Sequence, residues 1–68
     1  DLPAWARWIA KDADGHWWCY EAEPHRHDHG WYENEVGQSQ QVYPVDPNQI
    51  DWQLSLQKLP VNIDYSAD

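Results

Sequence analysis

Phenylalanine and methionine are absent from this sequence, cysteine occurs once, glycine three times, and Lys and Arg together only four times. Each shortage excludes something. A lone Cys19 cannot form an internal disulfide, so no covalent staple closes the fold. Four cations against twelve Asp and Glu leave a formal charge of −8, which repels nucleic-acid phosphates and anionic lipid and attracts basic surfaces. Direct binding of DNA, RNA or membrane is therefore not expected. No apolar run approaches the roughly 20 residues of a membrane-spanning helix, and no signal peptide or lipidation motif is legible. These absences and the single Cys point to a soluble, cytoplasmic chain. It opens at Asp1 rather than Met, which leaves a removed leader open.

What the sequence has instead is tryptophan. Its 68 residues allow one domain, in the range where a single apolar core yields roughly 3–5 kcal/mol. Domains of this size lean on disulfides, a metal, oligomerisation or dense aromatic packing. Six Trp and four Tyr favour the last, because each buried indole removes a large apolar area from water while its N–H needs only one partner. The expected core is a Trp cluster, with an oligomer left open.

The stretch "WARWIAKDADGHWWCYEAEP" contains two aromatic runs around "KDADG". Asp and Gly there match a hairpin loop built on a type I turn, with Gly15 free to take the positive φ that follows it. Paired strands are expected at Trp5–Ala10 and His16–Ala22. Alternation puts Trp18 and Tyr20 on one face and Trp17 and Cys19 on the other. With aromatics on both faces, neither side can be fully wet: something covers part of the second face, or that face binds. Pro24 ends the second strand, "HRHDHG" is a polar loop, and "WYENEV" and "QSQQVYPV" add a third and a short fourth strand around Gly37. An antiparallel meander over residues 4–45 results.

In "DPNQIDWQLSLQKLP" two signals conflict. Asp46, Pro47 and Gln49 spell a helix start with an N-cap, Pro at the first position and a capping-box Gln. Ile50, Trp52, Leu54 and Leu56 nevertheless alternate with polar residues, as a strand does. The boundary signals favour a short helix over residues 47–59, followed by a tail over 60–68 in which Val61, Ile63 and Tyr65 could pin to the sheet. The fold class expected is α+β: a three- to four-stranded antiparallel sheet with a short C-terminal helix.

Three features compete as functional sites. His25, His27 and His29 alternate, so in an extended segment their rings project to one side, where His-x-His spacing can chelate Zn²⁺ or Ni²⁺. A solvated loop is the plainer reading, since it lacks ligands from other elements and groups to orient them. No cofactor is expected beyond adventitious Zn or Ni. The acids Glu21, Glu23, Asp28, Glu33 and Glu35, with Arg26 alone among them, form an anionic edge. Trp17 and Trp31 are candidate exposed rings for stacking a peptide or sugar. "DADG" lacks the distant bidentate acid of a calcium loop, and His16 is poorly aimed to activate Cys19. No nucleophile elbow, phosphate loop or paired-acid geometry is legible, so no enzyme is expected.

Through "WARWIAKDADGHWWCYEAEP", "GWY" and the segment at Asp51 and Trp52, the chain resembles small accessory proteins, of no established activity, encoded by tailed phages and prophages. The likeness spans residues 4–59 and lies mainly in the hairpin; the His-rich loop departs from it. It implies expression in a bacterial cytoplasm and action by binding host or defence proteins, and it carries over no functional residues. A second likeness, to the WW domain, lacks that family's Asn-His-x-Thr turn and its final Pro. The expected function is non-catalytic binding to the basic surface of a nucleic-acid-handling protein, in the manner of inhibitors, antitoxins or immunity proteins. The alternatives are a Trp-rich peptide- or sugar-binding module and a His-rich metal-binding protein.

Overall fold

The computed structural model describes residues 2–34 and 37–60. Four strands form one antiparallel sheet: β1 (Trp8–Lys11), β2 (Trp17–Tyr20), β5 (Ser39–Val42) and β6 (Gln57–Lys58), in the order β5-β2-β1-β6. Between β2 and β5 the chain makes a separate two-stranded hairpin of β3 (His25–Arg26) and β4 (Trp31–Tyr32). The expected first hairpin is present, with Trp8 opposite Tyr20 and Lys11 opposite Trp17. Its turn is closed by the Gly15 N–H on the Asp12 carbonyl (2.9 Å) and the Asp12 N–H on the His16 carbonyl (2.9 Å). Gly15 sits at φ +91°, the left-handed position that only Gly takes without a steric cost.

The expected meander is broken at Pro24, which is fully buried and cannot donate to a ladder. Past it the chain turns away from the sheet, and it returns only when Glu21 N–H meets the Gln38 carbonyl (2.9 Å). The C-terminal helix is also not formed: a single 3-10 turn at Trp52–Leu54 replaces it, so the molecule is mostly β rather than α+β. Asp46 does cap, accepting the Ile50 N–H (3.1 Å), but Gln49 lies at φ +49°, where a helix cannot continue. Downstream, the strict alternation of Ile50, Trp52, Leu54 and Leu56 offers no continuous helical stripe to bury. Asp51 then caps the 3-10 turn through the Gln53 N–H (3.0 Å).

After that turn the chain runs along β1. Leu59 N–H donates to the Arg7 carbonyl (2.8 Å), β6 pairs with Trp8 and Ile9, and Ser55 continues the ladder with its side chain. The Lys11 N–H donates to Ser55 Oγ (2.8 Å), and that hydroxyl donates to the Trp52 carbonyl (2.7 Å). Ser55 is fully buried.

The core differs from the expected Trp cluster. Ala6, Ile9, Cys19 and Val42 form its centre, with Trp5, Trp17 and Leu59 packed against them, and all six Trp are half-buried. A thin sheet leaves room at its centre for small side chains, and indoles, which are seldom fully buried, roof them. Ala10 and Tyr20 are buried on the opposite face, so both faces are partly covered, as the aromatic alternation requires. The expected pinning of Val61, Ile63 and Tyr65 lies outside the described residues.

Candidate functional site

The β3–β4 hairpin is docked beside the face that carries Trp18 and Tyr20. Two hydrogen bonds hold its tip to the first hairpin: Ala13 N–H to the His29 carbonyl (3.0 Å) and Trp31 N–H to Asp12 Oδ1 (2.9 Å). The fit depends on Gly30, where a Cβ would lie 2.6 Å from Asp12 Oδ1. Trp31 is fixed at its other end as well, its Nε1–H donating to the Trp52 carbonyl (3.2 Å). That carbonyl is the one held by Ser55, so a chain of hydrogen bonds runs from the β1 backbone to the Trp31 ring.

Between the two hairpins lies an open cleft of about 330 Å³, lined by Asp12, Trp18, Tyr20, Trp31, Tyr32, Glu33 and Ser39. Four of its walls are aromatic and two of its groups are carboxylic acids. Glu33 is half-buried, and its Oε2 is shut off from water with no hydrogen-bond partner among the described residues. Burial raises the Asp12 carboxyl above the ordinary value, with the Trp31 N–H opposing that rise and Asp14 adding to it. Burial, followed by the nearby negative charge of Asp12, holds the Tyr20 phenol well above its usual range. The cleft is thus a low-dielectric place with excess negative potential.

None of the four Lys and Arg relieves it. Lys11 Nζ pairs with Asp46 Oδ2 (2.7 Å) and lies 5.6 Å from the Trp17 ring centroid. Lys58 lies over Trp8, Arg7 donates to the Ala4 carbonyl, and Arg26 donates to the Gln53 carbonyl. Among the described residues no ion pair reaches Asp12 or Glu33.

The structure separates several residues that the sequence grouped. Trp31 and Glu33 meet in the cleft. Trp17 does not: it packs on the other face against the core, beside the Lys11–Asp46 pair. Glu21, Glu23 and Asp28 are exposed, Glu21 Oε1 accepting the Gln38 N–H (3.1 Å), and Glu35 lies outside the described residues. The alternation of His25, His27 and His29 is lost because β3 ends at Arg26 and the chain turns, His27 N–H donating to the Gly30 carbonyl (2.7 Å). His27 packs edge-on against Tyr32 at 5.3 Å. Among the described residues no group of three or more His, Cys, Asp and Glu is gathered to hold a metal. Burial pushes the Cys19 thiol up, away from the thiolate that a nucleophile needs.

Sequence reasoning missed Asp12, Trp18, Tyr20, Tyr32 and Ser39 as parts of one site. Trp18 and Tyr20 carried the signal, being aromatics on the face opposite Cys19, whereas Asp12 looked like an ordinary turn residue. No family model, curated protein or solved structure matches the chain. No helix among the described residues is long and apolar enough to cross a membrane.

Proposed function

We propose that this protein is a non-catalytic binder of a basic protein surface, and that it receives a Lys or Arg side chain of its partner in the cleft between Trp18, Tyr20, Trp31 and Tyr32. The observation that carries this reading is Glu33 Oε2, shut off from water and without a hydrogen-bond partner among the described residues, in a cleft that none of the four Lys and Arg side chains enters. A buried acceptor without a partner costs about 1–3 kcal/mol, more when it is charged, and a cation arriving there restores that loss. Aromatic faces attract the same ligand through their quadrupoles, by about 0.5–2 kcal/mol each when desolvated. The exposed Glu21, Glu23 and Asp28, with the net charge of −8, raise the encounter rate with a basic partner. The resemblance to phage accessory proteins, which implies action on host or defence proteins, fits a partner that handles nucleic acid.

The test is a titration with an oligo-arginine peptide, followed by intrinsic Trp fluorescence at low and high salt. The expected result is saturable binding that weakens with salt and falls at least tenfold in Glu33→Gln and in Trp31→Leu. Equal affinity in wild type and both variants would refute the cleft as the binding site. A pull-down from bacterial lysate at the same two salt concentrations then identifies the partner.

A further inference from the structure

The two edges of the four-stranded sheet are built differently. The β6 edge is two residues long, carries Lys58 and runs into Pro60, and a short strand, a Lys and a Pro are the ordinary means of keeping an edge from pairing. The β5 edge has no such protection before Pro44 ends it. From Gly37 to Val45 the sequence "GQSQQVYPV" holds no charged side chain, although 24% of the chain is charged. Beyond the strand, Tyr43 and Val45 are 83% and 92% exposed.

The register shows which backbone groups lie on that edge. Glu21 N–H donates to the Gln38 carbonyl, and Cys19 and Trp17 lie opposite Gln40 and Val42. Antiparallel alternation therefore turns the N–H and C=O groups of Gln38, Gln40 and Val42 toward β2, and those of Ser39, Gln41 and Tyr43 outward. We infer that this edge pairs with β5 of a second copy of the chain, antiparallel about a two-fold axis at Gln41, which joins two sheets into one of eight strands.

Three observations select a second copy as the occupant. Two chains of charge −8 repel each other over most of their surface, and the uncharged run is where they approach at least electrostatic cost. A basic partner, by contrast, finds no carboxylate within the run, and among the described residues the two beside it are engaged, Glu21 by the Gln38 N–H and Asp46 by Lys11. The pairing is self-complementary, since a dyad at Gln41 sets Gln41 opposite its own copy and Ser39 opposite Tyr43, satisfying the outward groups of both strands. Finally, among the described residues the buried hydrophobic side chains are the few of Ala6, Ile9, Ala10, Cys19, Tyr20 and Val42, and chains this small commonly gain stability by oligomerising. The interface is short, near or below the about 1,200 Å² at the lower end of specific complexes, so the dimer is a weak one. Gln41 and Ser39 share the sheet face of Trp18 and Tyr20, so the dyad sets both clefts on one side of the joined sheet. The inference itself does not depend on what the cleft binds.

Sedimentation velocity from micromolar to millimolar protein tests it. The expected result is a reversible monomer–dimer equilibrium whose dissociation constant rises at least tenfold in Gln41→Pro, which removes an outward N–H and leaves the β2 ladder intact. If Gln41→Pro fails to fold, Gln41→Lys combined with Tyr43→Lys sets like charges face to face and gives the same loss. A wild-type monomer at every concentration overturns the inference, as does a dimer unaffected by the double Lys variant. Hydrogen exchange identifies another occupant: Ser39, Gln41 and Tyr43 amides protected in a monomer would place the chain's own residues on this edge and equally overturn it.

Discussion

Replacing Ser55 by Ala removes one oxygen from the middle of the structure, and its cost can be worked out from the hydrogen bonds around it. Ser55 is fully buried; it accepts from the Lys11 N–H at 2.8 Å and donates to the Trp52 carbonyl at 2.7 Å. In Ser55→Ala the Trp52 carbonyl keeps the Ser55 N–H (3.2 Å) and the Trp31 Nε1–H (3.2 Å), so the acceptor side loses little. The Lys11 N–H is left buried without a partner, which costs about 1–3 kcal/mol. Against a total of roughly 3–5 kcal/mol for so small a core, a loss near 2 kcal/mol lowers Tm by about 8–16 °C, at about 4–8 °C per kcal/mol for a domain of this size. Thermal and urea unfolding, followed by Trp fluorescence, measure it. Ser39→Ala, at an exposed position, serves as the control and shifts stability by less than about 0.5 kcal/mol. Should Ser55→Ala cost no more than Ser39→Ala, the Lys11 N–H has another partner and the side-chain extension of the ladder is wrong.

Asp12→Asn separates stability from binding. Burial raises the folded-state pKa of Asp12 above 3.8, so the wild type is penalised as pH rises through that window, while at pH 3 the two proteins are equally affected. The variant is expected to be as stable as wild type or more so at pH 7, yet to bind oligo-arginine more weakly; paired unfolding and titration curves check both. Lys11→Met has the opposite pH signature. The Lys11 ammonium, and after it the Ile50 N–H, lower the Asp46 pKa, so that pair stabilises the fold above the unfolded value of 3.8 and is lost as pH falls through the lower folded one. The variant is destabilised at pH 7, and the gap closes in acid denaturation below pH 3.8. Gly30→Ala puts a methyl 2.6 Å from Asp12 Oδ1, displacing the carboxylate from the Trp31 N–H. It should cost about 1–3 kcal/mol in urea unfolding and weaken peptide binding together with stability.

The parts of the fold written in local chemistry were legible. The Asp-Ala-Asp-Gly turn, the hairpin around it and the division of Trp18 and Tyr20 from Trp17 and Cys19 follow from turn preference and alternation, and the structure reproduces them. The C-terminal segment was not, because its start signal and its periodicity disagree. The Asp46 cap formed, but the carboxylate is shared with Lys11, Gln49 turned left-handed, and the alternating residues became a 3-10 turn and a short strand. The separate β3–β4 hairpin was hidden as well, since two-residue strands leave no periodic trace. The same limit applied to the site. Trp31 and Glu33 could be singled out by residue type, but their meeting with Asp12 and Tyr20 depends on a hairpin docking through Gly30. Trp17 and Trp31 could not be placed on opposite sides of the sheet in advance, because composition counts indoles without saying which of them pack on the core.

That distribution of tryptophan connects stability with function. An interior built of Ala, Ile, Cys and Val needs covering, and Trp5 and Trp17 provide it on one side while Trp8 and Trp18 lie on the other face of the sheet. A ring that only covers has one face against protein and the other toward water, which is what a ligand-stacking surface requires. Trp17 lies beside the Lys11–Asp46 pair, whereas Trp31, held at its backbone by Asp12 and at its ring nitrogen by Trp52, lines the cleft that holds the acids Asp12 and Glu33. Those acids weaken the fold in isolation, and natural proteins tolerate such local costs chiefly where a ligand removes them. On the proposed reading, a cation bound in the cleft stabilises the domain by RT ln(1 + [L]/Kd), about 2.7 kcal/mol at a hundredfold excess over Kd, comparable to the stability of the core itself. Folding and recognition in a chain this small are then two halves of one equilibrium.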